Sequence, residues 1–257
     1  MNTSPVRSLL LVLSLLLLSG ALAGCASKKT ANAPVIPEDV DTVSIPDPIE
    51  PWNRFWFVFN DKFYMFVGKP FSKAYTTAVP KYARERIESA YSNFLAPARF
   101  VNALFQLRPD KASRELGRFI INSTFGLGGL YDLAATKEDM GPQRLDFGQT
   151  LGVWGAGHGF YLVLPIIGPS SLRDGIGMAV DATVQPTTYI DAPYILTLLA
   201  SGAGRINRLA ETLKVYEELK RSAIEPYSAA RDAYAQYRLK HIQDAIDSAW
   251  VKPSKGE

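Results

Sequence analysis

Between Trp52 and Val67, eight of sixteen residues are aromatic, and a helical wheel does not spread them evenly. At about 100° per residue, Trp52, Phe55, Trp56, Phe59, Phe63 and Phe66 fall within an arc of roughly 100°, the width of one helix face. Arg54 and Asp61 lie opposite, Lys62 lies at the flank where its stem can snorkel, and Phe57 and Tyr64 form a smaller second face. The pattern predicts an amphipathic helix from about Glu50, with Pro51 suited to its first turn. A second helical region is expected over Lys81–Leu107, interrupted near Pro97. Pro109 and Asp110 open a third, with Leu116, Phe119 and Ile120 at helical spacing, which runs out at Gly126, Gly128 and Gly129. Ser170 or Ser171 can cap a further helix, with Asp174 three residues after Ser171. Pro186 and Pro193 punctuate the region after that helix, and residues 204–223 and 227–250 read as two more helices. YLVLPII reads as one short buried strand with no obvious partner. The expected fold is therefore all-α, a single helical domain over residues 50–250 without internal repeats, with a tail at 251–257.

The N-terminal pattern is of another kind. Arg7 precedes an apolar run, Leu9–Leu18 broken only by Ser14, and small residues lead to the sole cysteine, Cys25. This is signal-peptide architecture over residues 1–24, with an apolar core short for a transmembrane helix. Leu22-Ala23-Gly24-Cys25 resembles a bacterial lipobox, which implies that Cys25 becomes an acylated first residue. Several acyl chains on one residue make a stable anchor where one is marginal. Ala26, rather than Asp, comes after the cysteine, and by the same resemblance this points to the outer membrane. Residues 25–49, with Pro34, Pro37, Pro46 and Pro48, read as a disordered tether reaching about 25–30 Å. After the signal peptide no apolar run reaches about 18 residues, so no spanning helix is expected.

Composition narrows the chemistry. The chain has 257 residues, 47% hydrophobic and 21% charged, enough to fill a core, and its net charge of +3 gives no broad footprint for nucleic acid. There are two histidines, His158 and His241. His158 lies in Gly155-Ala156-Gly157-His158-Gly159, a loop of the kind that can serve an oxyanion hole, but no Gly-x-Ser-x-Gly elbow supplies a nucleophile. No HExxH or Cys-His cluster is present, nor a phosphate loop. No catalytic residue, metal or cofactor is expected. Gly155, Gly157 and Gly159 would let a loop bend near a channel, or simply form a tight turn. Tyr227, Arg231, Tyr234 and Arg238, spaced by four, three and four, share one helix face. That stripe can bind phosphate headgroups or an acidic partner, or be a solvated face with local pairing. The aromatic face of 52–66 has two readings as well, a core-facing stripe or a helix lying in a lipid leaflet.

Taken together, several segments resemble the MlaA/VacJ family of phospholipid-transport lipoproteins. They are Asp47-Pro-x-Glu50 with Asn53-Arg54 and Phe59-Asn60; Asn122-Ser-Thr with Gly126, Gly129 and Asp132; Asp146-Phe-Gly-Gln-Thr-Leu-Gly152 with Trp154-Gly155; Tyr161-Leu-Val-Leu-Pro165; Gly168-Pro-Ser-Ser; Arg173-Asp174; and the Tyr227/Arg231/Tyr234/Arg238 stripe. The match covers about residues 47–240. The resemblance implies a ring-like helical domain in the periplasmic leaflet of the outer membrane, with a central polar channel. It also implies association with a trimeric porin. Misplaced outer-leaflet phospholipid would pass inward to a soluble periplasmic carrier, preserving lipid asymmetry. An envelope scaffold is the alternative, and a phospholipid hydrolase using Ser170 or Ser171 with His158 a further one.

Overall fold

The computed structural model describes residues 44–137, 140–185 and 194–248, without the side chains of 194–201 and 203. The signal peptide, Cys25, most of the tether and the tail lie outside the described residues. Within them the chain is helical with one two-stranded hairpin: α1 (Glu50–Phe63), α2 (Lys69–Ala78), α3 (Lys81–Phe94), α4 (Ala96–Phe105), α5 (Pro109–Thr124), α6 (Phe147–Val153), β1 (Tyr161–Leu164), β2 (Gly168–Ser171), α7 (Leu172–Val184), α8 (Tyr194–Ser222) and α9 (Pro226–Asp247). The all-helical expectation holds, with that hairpin added.

Local chemistry sets most boundaries. α1 and α2 form one continuous rod joined by a π-helical segment, Tyr64–Gly68. Pro70 lacks an N–H and its ring would collide with the carbonyl four residues back, and the wider π turn relieves both problems. The break between α3 and α4 falls at Leu95, beside the expected Pro97. α5 opens on Pro109 and ends before the glycine-rich turn. There Gly129 has φ +96°, and a β-carbon on it would stand 2.5 Å from that of Asn93, so the turn needs glycine for both conformation and space. Ser171 caps α7 by accepting from the Asp174 amide at 3.2 Å, as the spacing predicts.

The strand does have partners. β1 pairs antiparallel with β2, Tyr161 opposite Ser171 and Leu164 opposite Gly168. The outer edge of β1 is closed by side chains of α1. Asn53 donates to the Tyr161 carbonyl at 2.9 Å and accepts from the Val163 amide at 2.8 Å. Asn60 repeats the arrangement on the Leu164 carbonyl and the Ile166 amide, at 2.9 and 2.7 Å. Seven helical residues rise about 10.5 Å, and three strand residues advance about 10 Å. Two asparagines two turns apart therefore stay in register with the strand and act as a surrogate edge that occupies its ladder groups.

The tether prediction needs correction at its C-terminal end. Ile45 is buried in the core cluster with Tyr161, Val163, Tyr227 and Ala235. The Pro46 carbonyl accepts from the Tyr161 amide at 2.8 Å, and Asp47 accepts from Asn53 at 2.7 Å. Residues 45–49 thus belong to the folded domain. Prolines mark them as tether-like, but the buried Ile45 side chain and these bonds fix them.

Polar and apolar residues share the interior. Among the described residues seventeen polar or charged ones are buried, including Asn53, Asn60, Asn102, Gln106, Glu115, Arg118, Arg173 and Arg238, while large apolar residues on α1, α2, α4, α5 and the hairpin stand exposed. Three loop residues with positive φ, Leu107, Leu127 and Ile166, also carry exposed side chains. For ordinary L residues that conformation costs about 1–2 kcal/mol.

Candidate functional site

The aromatic face of α1 and its π extension points away from the protein. Trp52, Phe55, Phe59 and Phe66 are exposed, Phe66 by 74%. Trp56 and Phe63 are half-buried, with Trp56 meeting Trp52, Phe55 and Phe59 edge to face at centroid distances of 5.2–5.7 Å. The second face turns inward: Phe57 packs on Tyr227 and Tyr216, and the Tyr64 hydroxyl donates to the Ile166 carbonyl. The residues α1 buries completely are its two asparagines. Core packing is therefore the wrong reading for Trp52, Phe55, Phe59 and Phe66.

The tyrosine–arginine stripe of α9 does the opposite. Tyr227 and Arg238 are buried, and Tyr234 and Arg231 are half-buried. Tyr227 donates to Asp47, and Tyr234 donates to Asp174. Arg238 makes a bidentate pair with Asp146, at 2.8 and 2.9 Å, and a second contact to Asp174 at 3.0 Å. Burial would lower the Arg238 pKa, but the Asp146 bonds and the two carboxylate charges raise it; Arg238 in turn holds Asp146 below its ordinary range despite burial. Burial and the neighbouring aspartates push the Tyr227 and Tyr234 phenols up, so both keep their protons. The solvated-face and headgroup readings are corrected for Tyr227, Tyr234 and Arg238: their polar atoms are committed to carboxylates of the chain. Arg231 contacts Asp232 at 3.4 Å. A parallel ladder runs from Gln106 through Thr150 and Asn102 to Asp181, each bond 2.8–3.0 Å, and ties α4 to α6 and α7.

Gly155, Gly157 and Gly159 form an exposed loop between α6 and β1, with positive φ at Gly155 and Gly159 and open space around Gly155 and Gly157. His158 within it is half-buried, with Nδ1 3.2 Å from Arg173 Nη2. Burial, aided by the Arg173 charge, lowers its pKa to about 4, so it is neutral at pH 7. Ser170 and Ser171 are buried; Ser171 Oγ is occupied by its capping bond and lies 3.3 Å from the Tyr234 hydroxyl. Among the described residues no hydrogen bond joins His158 to either serine, so the geometry gives no nucleophile–base pair.

None of these groups lines the polar cavity. That cavity, of about 540 Å³, lies between α3, α8 and the 142–144 segment. Its walls carry five cations, Lys81, Arg84, Arg99, Arg144 and Arg208, and three carboxylates, Glu85, Glu88 and Glu211. Arg99 pairs with Glu115 at 2.8 Å, Arg208 with Glu88 at 3.4 Å and Lys81 with Glu85 at 3.7 Å. Among the described residues Arg84 and Arg144 make no ion pair; Arg84 Nε is buried without a hydrogen-bond partner, and Arg144 donates to the Tyr237 hydroxyl at 3.0 Å. Glu211 is the one wall carboxylate that makes no ion pair among the described residues. Two guanidiniums facing a half-open polar space suit an anionic group such as phosphate. Sequence reading missed these residues. The signal was the polar face Lys81, Arg84, Glu85, Glu88 at helical spacing, which looks like any solvated stripe.

Residues 45–241 match the family described as MlaA lipoprotein. The chain belongs to the MlaA lipoprotein family. Its match begins at Ile45, the residue that enters the core. A Haemophilus influenzae protein named an intermembrane phospholipid transport system lipoprotein is 34% identical over 91% of this chain and 90% of its own. The Escherichia coli protein of the same name is 29% identical over 84% and 82%. An uncharacterized Rickettsia bellii protein is 33% identical over 80% and 81%. A solved structure described as "Structural basis for maintenance of bacterial outer membrane lipid asymmetry" superposes with a TM-score of 0.68 at 30% identity, covering 76% of this chain and 98% of that one. Many of the segments that resemble the MlaA family supply the interior: Asp47, Asn53, Asn60, Asn122, Asp146, Asp174 and Arg238 are bonding partners there. Arg84 and Arg144, which make no ion pair among the described residues, lie outside those segments.

Proposed function

We propose that the chain is a lipid-anchored protein of the outer membrane that lies in the periplasmic leaflet and moves phospholipid. Misplaced outer-leaflet lipid would enter the polar cavity by its headgroup and pass inward to a soluble periplasmic carrier. The domain sits as a ring beside a trimeric porin, and Cys25 carries the acyl anchor. The observation that carries this reading is the combination of large apolar side chains exposed on α1, α2, α4, α5 and the hairpin with a polar cavity whose walls hold five cations and three carboxylates. Fully burying a large apolar side chain stabilises by about 1.5–3 kcal/mol, so water is a poor surrounding for Trp52, Phe55, Phe59 and Phe66. Lipid suits them. Among the described residues no helix is long and apolar enough to cross a membrane, which favours helices lying along the leaflet.

Arg84 and Arg144 are the groups we assign to the phosphate. Gly155, Gly157 and Gly159 keep their role as a bending loop, and Arg231 remains a candidate headgroup contact. The test is complementation of a deletion strain with Arg84→Glu/Arg144→Glu, reading surface-exposed phospholipid. We expect surface phospholipid to rise at least severalfold while porin association persists. Unchanged asymmetry in both the deletion and the variant would favour the scaffold, and fatty acid released by the purified protein would favour the hydrolase.

A further inference from the structure

Beside the polar cavity lies a second one of a different character. It is an open groove of about 530 Å³ formed by Ile87, Ala90 and Phe94 of α3, Phe119 of α5 and Leu130 of the loop after it. Tyr91 borders both spaces. Its ring lies against α8, where a β-carbon at Gly204 would meet it at 2.1 Å, so only glycine lets the two helices close around that ring. One polar group interrupts the groove. Asn93 is 6% exposed; its Nδ2 donates to Ser123 Oγ at 3.0 Å, while its Oδ1 has no hydrogen-bond partner among the described residues.

We propose that this groove holds one acyl chain of the phospholipid whose headgroup occupies the polar cavity, with the Tyr91 ring as the wall the lipid straddles; the inference rests on the transport reading above. Two features select this occupant. The groove continues a cationic cavity across a single side chain, so the pair matches an amphiphile end for end. Its volume lies within the roughly 300–1,000 Å³ of pockets that hold one small ligand.

The experiment uses the full acylated chain with phosphatidylethanolamine bearing a diazirine at the end of one acyl chain, and counts bound lipid by native mass spectrometry. Photolysis is expected to label peptides 87–94 and 119–130. Ile87→Trp, which fills the groove, should cut that labelling at least fivefold. Ala90→Phe serves the same purpose should Ile87→Trp fail to fold by circular dichroism. Bound lipid that labels only the aromatic face of α1, undiminished by either variant, overturns the groove assignment and leaves the transport reading standing. Absence of bound lipid overturns both. A dimeric mass that Ile87→Trp abolishes assigns the groove to a second copy and also overturns the proposal.

Discussion

The outer face of α1 and the inner face of α9 are both stripes at helical spacing, but only the α1 stripe is oriented against the usual rule. On α1 the rings face outward while Asn53 and Asn60 are buried. On α9 the buried set includes Tyr227 and Arg238, held by Asp47, Asp146 and Asp174. The difference teaches that amphipathicity gives a helix two faces without saying which is inside. In water the apolar face turns in; here Asn53, Asn60 and Arg238 turn in as well, each bonded within the chain, and on α9 Arg238 does so beside Ala230, Ala235, Ile242 and Ala245. Buried polar groups are tolerable only when satisfied, and then they specify a unique arrangement.

Breaking the interior network should have the largest effect. Arg238→Ala takes the bidentate partner from Asp146, whose side chain is partly exposed, and leaves Asp174 with Arg173 alone, so we expect a loss of about 2–4 kcal/mol, short of the full cost of stripping a buried charge of its only partner. Chemical unfolding of the detergent-solubilised protein measures it. Arg238→Lys should fall between, since an ammonium cannot reproduce the bidentate contact. Next comes Asn60→Leu, which strands the Leu164 carbonyl and the Ile166 amide at the strand edge. We expect a loss of about 1–3 kcal/mol in the same assay.

Much of this frame was legible in the sequence. Pro51, the break near Pro97, the stop at Gly126–Gly129 and the Ser171 cap are set by local chemistry, and local chemistry can be read from neighbouring residues. The partners of β1 could not be, because Gly168-Pro-Ser-Ser carries no strand pattern and the other edge is made of side chains from a helix a hundred residues away. For the same reason the α9 stripe read as a face for headgroups or an acidic partner, or as a solvated one: its carboxylates come from residues 47, 146 and 174. The cavity arginines on α3 were hidden among alternating charges, which have no signature until α8 closes over them.

A smaller effect concerns pH. His158 is neutral in the folded protein with its pKa near 4, against 6.5 when unfolded, so the unfolded chain binds more protons between those values. Its contribution is present above about pH 6.5 and is lost as pH falls toward 4. Thermal melting should therefore decline over that window, and His158→Asn should flatten the decline. Below it, Asp146 adds a further loss, because its folded pKa is depressed and protonation breaks the Arg238 pair. The smallest stability change is expected on the outer face: Phe55→Asp/Phe66→Asp should alter unfolding in detergent by no more than about 0.5 kcal/mol, yet weaken binding to phospholipid vesicles in a flotation assay.

That contrast rests on where the α1 face resides. The direct measurement is electron paramagnetic resonance of nitroxides placed singly at Phe55→Cys, Phe66→Cys and Glu218→Cys in the acylated protein reconstituted into bilayers, comparing accessibility to oxygen and to a water-soluble nickel chelate. The account predicts that positions 55 and 66 favour oxygen, as acyl chains do, while position 218 favours nickel. Positions 55 and 66 as open to nickel as position 218 would contradict it.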